Sequence, residues 1–327
     1  MSTMLDRYVS VEKILYVIIA VIGVPVNFVT IVILSRRKCG LSTCITHYLV
    51  AMATADLLTI ATEVILIQII GLNFTWSFVN IDPLCRVVDV LMYTASDCSV
   101  WFTVTFTFDR FVIICCTKLK TKYCTGKTAV VVLTTTGVLC CLKNVPRYFT
   151  WKHWVTIDNT EWFCINLDNY FTDPGWVGYD WLDTILTPLL PFAGILLLNA
   201  LTVRHILLAS RVRKGLRGQS KGENRSDPEM ESRRRSVVLL FTLSGSFILL
   251  WMTYTVHVIY YQISGKGFDS NYSEMIFPYV GNFLRDISCC TNTFIYAVTQ
   301  SKFREQVISA VKYPVTSVLQ FINKVTS

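Results

Sequence analysis

The chain has 327 residues, 53% of them apolar and only 16% charged, with a formal net charge of +8. A water-soluble protein of this length would carry more charge. The apolar residues lie in long blocks rather than at amphipathic spacing, which argues against a soluble globular enzyme.

In chain order the blocks are 14–35, 47–72, 86–114, 128–149, 181–209, 236–263 and 274–298. Each is long enough to cross a hydrocarbon core of about 30 Å. Barrel strands need only about 9–11 alternating residues, so these blocks read as helices, which satisfy their own backbone in lipid. The predicted fold class is all-α, a seven-transmembrane helix bundle. Its organisation is an extracellular N-terminus at 1–13, a spanning domain at 14–298 and a cytoplasmic tail at 299–327. The first block is too long for a cleavable signal peptide and is expected to act as its own signal.

Basic residues orient the bundle. The loops 36–46, 110–127 and 204–235, with the tail, hold most of the 30 lysines and arginines. That side is read as cytoplasmic and the N-terminus as outside. The positive charge therefore reflects topology and asks for no nucleic acid, while the basic rim suits anionic membrane lipid. Trp76, Trp151, Trp154, Trp162, Trp176 and Trp181 fall near the outer ends, as an interfacial belt does. Loop 150–180 is the longest outer segment, and the polar middle of 212–235 is expected to be disordered. After the last block, Phe303, Val307, Ile308 and Val311 interleave with Lys302, Arg304 and Lys312. This spacing predicts a short amphipathic helix on the inner leaflet, ended by Pro314.

Of the twelve cysteines, most lie in the blocks or on the cytoplasmic side, where thiols stay reduced. Cys85 and Cys164 alone are placed outside, so they are expected to form a disulfide. Asn73 and Asn271 begin glycosylation sequons on the outer side, and Asn224 begins one inside.

The third block sets out a ruler. Cys85 stands at one rim and Asp109-Arg110-Phe111 at the other, separated by roughly 37 Å of helix at about 1.5 Å per residue. Ionisable side chains inside a span are functional candidates by default. Here they are Asp56, Glu63, Asp89, Asp97, Asp109, Arg110, Asp183, His257, Arg285 and Asp286. Met92, Ser99 and Arg110 share one helical stripe, and Arg285, Ser288, Asn292 and Tyr296 share another. Such stripes predict a polar core along the bundle.

These landmarks resemble the rhodopsin-like (class A) G-protein-coupled receptors over nearly the whole chain. The carriers are Gly23-Val24-Pro25-Val26-Asn27, Leu49 through Asp56, Cys85 with Asp109-Arg110-Phe111, Pro191, Trp251, Asn292 through Tyr296, and Lys302-Phe303-Arg304. The resemblance implies a plasma-membrane receptor without catalytic residues, joining an extracellular small molecule or short peptide to a heterotrimeric G protein. It also implies roles. Asp109 holds Arg110 at rest, Phe111 completes that motif, and Trp251, Asn292 and Tyr296 take part in switching. Asp56, Ser99, Ser288 and Asn292 resemble an allosteric sodium pocket, the only cofactor implied.

The chain departs from the family at several positions. Phe111 replaces a tyrosine, Thr253 and Thr293 replace prolines, and Asn199 replaces a tyrosine. A sixth span without its proline should be less kinked. Met92 stands where amine receptors carry an aspartate, which disfavours amines, and 274–298 holds no lysine for a retinal Schiff base. In detail the chain looks most like an orphan branch that answers to tryptophan and phenylalanine. The candidate ligand residues are Met92, Tyr93, Trp251, Tyr254, His257 and Arg285. Arg285 either takes a ligand carboxylate or pairs internally with Asp286 or Glu63. The alternative class is a seven-span transporter or membrane enzyme. No internal repeat supports the first, and His47, His153, His205 and His257 are too scattered for the metal set of the second.

Overall fold

A computed structural model describes residues 2–36, 39–116, 119, 123–217, 228–264 and 272–309. Helix α1 runs Ser2–Ser35. No glycine or proline interrupts 2–13, and this stretch continues the first helix. Helix α2, Thr43–Thr59, starts at Ser42, whose hydroxyl accepts from the Ile45 amide at 3.3 Å. It widens into a π-helix over Ile60–Gly71. Asn73 closes that end, donating its side-chain amide to the carbonyls of Gln68 at 3.1 Å and Ile69 at 2.8 Å. A glycan on this nitrogen would displace both bonds. Asn271 and Asn224 lie outside the described residues.

Helix α3 spans Leu84–Cys115, and α4 spans Gly126–Asn144 before a 3-10 turn at Val145–Phe149. Next comes a departure from the all-α expectation. Loop 150–180 contains an antiparallel hairpin, β1 Trp151–Ile157 and β2 Thr160–Asn166, with His153 opposite Cys164. Both strands are rich in aromatic and β-branched residues. Asp158 and Asn159 between them adopt φ of 49° and 59°, the left-handed pair that a two-residue hairpin turn demands.

The block predicted at 181–209 is longer and divided. Helix α5, Pro174–Thr184, is capped by Asp173, whose carboxylate accepts from Gly175 N at 2.8 Å and Trp176 N at 3.3 Å. Thr187 is extended (φ −152°, ψ 105°) just before Pro188, as a residue preceding proline tends to be. Helix α6 then runs Leu190–Arg217. The break thus lies at Pro188. Pro191 sits in the first turn of α6, where a missing amide hydrogen is tolerated.

Helix α7, Pro228–Ser264, carries no interior proline and runs unbroken through Thr253. Helix α8 is Tyr272–Thr299, and residues 301–309 are helical again. Val311, Lys312 and Pro314 lie outside the described residues. Phe303 is fully buried and meets Tyr296 edge to face at 6.0 Å.

Among the described residues, six stretches are long and apolar enough to cross a membrane: Val11–Ser35, Thr43–Gly71, Leu84–Cys115, Gly126–Phe149, Pro174–Arg211 and Ser236–Ser264. Helix α8 has the length, but Asn282, Arg285, Asp286 and Asn292 dilute its apolarity. The outward faces are apolar, with Val21, Leu142 and Leu249 exposed, as a lipid-facing surface requires.

The core near Arg110 packs Leu34, Tyr48, Met52, Phe106, Leu239 and Tyr296. Farther along the bundle Val100, Ile195, Phe247 and Trp251 pack together. Gly281 brings α8 close to α7: a Cβ there would stand 3.0 Å from the Tyr254 Cα and 3.1 Å from its nitrogen.

Candidate functional site

The bundle carries a cavity at its hairpin end and a buried ion pair at the other, joined by polar side chains. The disulfide Cys85–Cys164 ties β2 to the first turn of α3, with Cα atoms 6.2 Å apart. The hairpin is also fastened by Trp76, which packs edge to face on Trp162 at 5.2 Å. Beneath it lies a cavity of about 530 Å³, within the usual range for small-molecule sites.

Five of the six sequence-chosen ligand residues line this cavity: Met92, Tyr93, Tyr254, His257 and Arg285. Trp251 instead lines a smaller recess below it. The hairpin adds Trp151 and Phe163, and the π-helical end of α2 adds Glu63.

Arg285 is 7% exposed. Its guanidinium is paired with Glu63, lies 3.3 Å from Asp286 Oδ1, and sits 4.8 Å from the centre of the Tyr254 ring. Arg285 thus makes the internal pair, and with both carboxylates together.

Lys143 and Arg147, which the sequence reading passed over, form a second network. Lys143 Nζ lies 2.7 Å from Asp97 and 2.5 Å from Asp183, and Arg147 lies 2.6 Å from Asp183. Arg147 also stacks 3.3 Å over the Tyr93 ring. The available signal was two basic residues at the end of an apolar block, facing the acids of two other blocks. Asp89 takes a different partner, accepting from Trp151 Nε1 at 3.0 Å. Outside the spans, Tyr170 donates its hydroxyl to Asp180 at 2.5 Å. Burial first, and then that bond, push the Tyr170 phenol above its usual range.

In the middle of the bundle Asp56 is fully buried. It accepts from Ser99 Oγ at 2.5 Å and from Asn292 Nδ2 at 2.8 Å. Ser288 does not join them. It accepts from Trp251 Nε1 at 3.0 Å and donates to the Arg285 carbonyl at 2.5 Å, so it links Trp251 to the cavity floor. Of the predicted four-residue sodium set, Ser99 and Asn292 therefore gather on Asp56 and Ser288 does not. Asn27 donates to the Gly23 carbonyl at 3.0 Å and the Cys289 carbonyl at 2.8 Å. Thr293, which replaces a proline, shares a 2.8 Å hydrogen bond with Thr30. Asn199, replacing a tyrosine, donates to Ser244 Oγ at 2.8 Å.

At the far end Asp109 and Arg110 are paired and both buried. Cys44 Sγ donates to Asp109 Oδ1 at 3.3 Å, and Arg110 lies 5.3 Å from the Phe106 ring centre. Phe111 packs against Phe108, at 6.5 Å between ring centres. The fully buried Tyr296 hydroxyl has no hydrogen-bond partner among the described residues.

Comparisons with known proteins agree with this layout. The chain is 22% identical to "Rhodopsin, G0-coupled" of Mizuhopecten yessoensis, over 89% of this chain and 69% of that protein. It is 22% identical to "Cysteinyl leukotriene receptor 1" of Cavia porcellus, over 86% of this chain and 78% of that one. It is 24% identical to "G-protein coupled receptor 182" of Rattus norvegicus, over 90% and 70% of the two chains. These relatives are receptors and not enzymes. The family described as 7 transmembrane receptor (rhodopsin family) matches residues 26–296, and the chain belongs to that family.

Proposed function

We propose that this protein is a ligand-activated receptor of the plasma membrane, with its hairpin end outside and its Arg110 end facing a heterotrimeric G protein. On this reading α8 is the seventh span, and residues 301–309 begin a helix on the lipid of the inner leaflet. The observation that carries the reading is the opposition of the two ends. A lidded cavity opens at one, and a buried, paired arginine closes the other.

The steps between follow from the contacts. A ligand pressing on Tyr254 and Arg285 acts on α8 directly, and Ser288 passes the displacement to Trp251 through their hydrogen bond. Breaking the Asp109–Arg110 pair frees Arg110 for the G protein, and the unpartnered Tyr296 hydroxyl is free to support the open state. Asp56 has no basic partner among the described residues. With Ser99 and the Asn292 side-chain oxygen it offers a hard cation such as sodium the oxygen donors it prefers. A bound ion there would neutralise the buried carboxylate.

The aromatic walls, Trp151, Phe163, Tyr254 and Tyr261 among them, favour a small ligand with an aromatic body, such as an aromatic amino acid or the end of a short peptide. The relatives' names span a rhodopsin, a leukotriene receptor and an "FMRFamide receptor", so kinship does not choose the ligand. The test is guanine-nucleotide exchange on purified G proteins, driven by the receptor in nanodiscs. The chain should accelerate exchange, and Arg110→Ala should abolish the acceleration. Full activity of a folded Arg110→Ala receptor would overturn the reading.

A further inference from the structure

We propose that the cavity binds a ligand carrying a cationic group, an ammonium or guanidinium, seated on the carboxylates of Glu63 and Asp89. The inference rests on the reading that this cavity is the receptor's ligand site, and it names the charge of the ligand.

It comes from counting which acids have a basic partner. Asp97 and Asp183 share Lys143 and Arg147, two acids to two bases. Arg285 stands alone between two acids, Glu63 and Asp286, so that triad has one carboxylate more than it has bases. Asp89 has only the neutral Trp151 indole as hydrogen-bond donor and no ion pair among the described residues. The nearest base to Asp89 is Arg147, which is already paired with Asp183, so each network holds one more carboxylate than it has bases, and Glu63 and Asp89 both line the same cavity.

Burial makes this imbalance costly. Glu63 is 5% exposed and Asp89 9% exposed, and a buried charge needs a counter-charge or full hydrogen bonding. Both are met only in part: Glu63 shares Arg285 with Asp286, and its Oε2 has no hydrogen-bond partner among the described residues, while Asp89 has one neutral donor. The unfilled carboxylate oxygen at the cavity is an acceptor, whereas the guanidinium of Arg285 is already engaged by two carboxylates. A ligand carboxylate would have to displace Glu63 or Asp286 from Arg285 and would add charge to an acidic wall. A cation fills both vacancies, and the faces of Tyr261 and Trp151, which line the cavity, add cation–π attraction. An aspartate at Met92 is not needed, because Asp89 lies one helical turn earlier on α3.

The test uses the full chain in nanodiscs and three probes that share a phenyl body: phenethylamine (cationic), 2-phenylethanol (neutral) and 3-phenylpropionate (anionic). Binding is read as a concentration-dependent rise in the unfolding temperature, with no G protein present. Failure here therefore removes the cation, while failure of nucleotide exchange removes the receptor reading. Phenethylamine should stabilise the receptor and the other two should not. Glu63→Gln and Asp89→Asn should each raise the phenethylamine concentration needed by about tenfold or more, as loss of a charge-assisted bond does. Glu63→Gln disturbs the Arg285 pair and can weaken folding. Asp89→Asn keeps an oxygen acceptor for Trp151, so it is the cleaner variant. The proposal is overturned if 2-phenylethanol or 3-phenylpropionate stabilises as well as the amine, if phenethylamine gives no shift, or if both variants bind it as the parent does.

Discussion

The guanidinium of Arg285 is paired with Glu63, 222 positions earlier in the chain, inside a bundle that buries both side chains. The pair joins α8 to the π-helical end of α2, where widened turns often mark functional sites. Arg285→Ala should lower stability by about 3–5 kcal/mol, the usual result of orphaning a buried partner. Arg285→Ala with Glu63→Ala should lose less than the sum of the single changes. Thermal unfolding of the four proteins in detergent gives the coupling, and strict additivity would show that the contact contributes nothing.

Asp109 accepts from Cys44 and holds Arg110. Asp109→Asn keeps the shape and removes the charge, so ligand-free nucleotide exchange should rise severalfold. An unchanged basal rate in a well-expressed variant would mean that the pair does not restrain the resting state.

The disulfide closes a sequence separation of 79 residues, which corresponds to about 4–5 kcal/mol in the chain-entropy description. Cys85→Ala should cut surface expression sharply and expose the hairpin to proteolysis. Non-reducing peptide mapping should recover Cys85 and Cys164 as one linked species, and free thiols at both positions would remove the bond.

Among the described residues, Asp56 is bound only by the neutral donors Ser99 and Asn292. Replacing choline chloride by sodium chloride at equal ionic strength should raise the unfolding temperature of the parent. Asp56→Asn should abolish that difference. A sodium effect that survives in the variant must come from another site.

Gly281 admits no Cβ without displacing the Tyr254 backbone. Gly281→Ala should push α8 from α7 by a few tenths of an ångström and weaken ligand binding in the cavity, with a smaller loss of stability. Ligand-dependent unfolding shifts compared with those of the parent report the change.

What the chain order dictated was the scale of the molecule. Long apolar blocks read as helices in lipid, and their bounds match the helices closely for α3 and α8, while α7 begins eight residues before its block. The pairing of Cys85 with Cys164 was legible too, because few cysteines remain once the spans are removed. The hairpin was written in the sequence as Asp158-Asn159 between aromatic and β-branched runs, but a signal so short is hidden beside seven helices. The break at Thr187 likewise depends on one proline, and two prolines, Pro188 and Pro191, competed for it.

The charges were readable one by one, but not as pairs. Helical stripes place Arg285 on an inward face. They say nothing of which carboxylate meets it, because ion-pair geometry is decided by the rotation and approach of several helices to within an ångström or so. Only the packed bundle brings Glu63 and Asp286 to one arginine, gives Lys143 and Arg147 to Asp97 and Asp183, and draws Ser288 from Asp56 to Trp251. The sequence determined which groups would be buried, and the tertiary structure decided how their charges are shared.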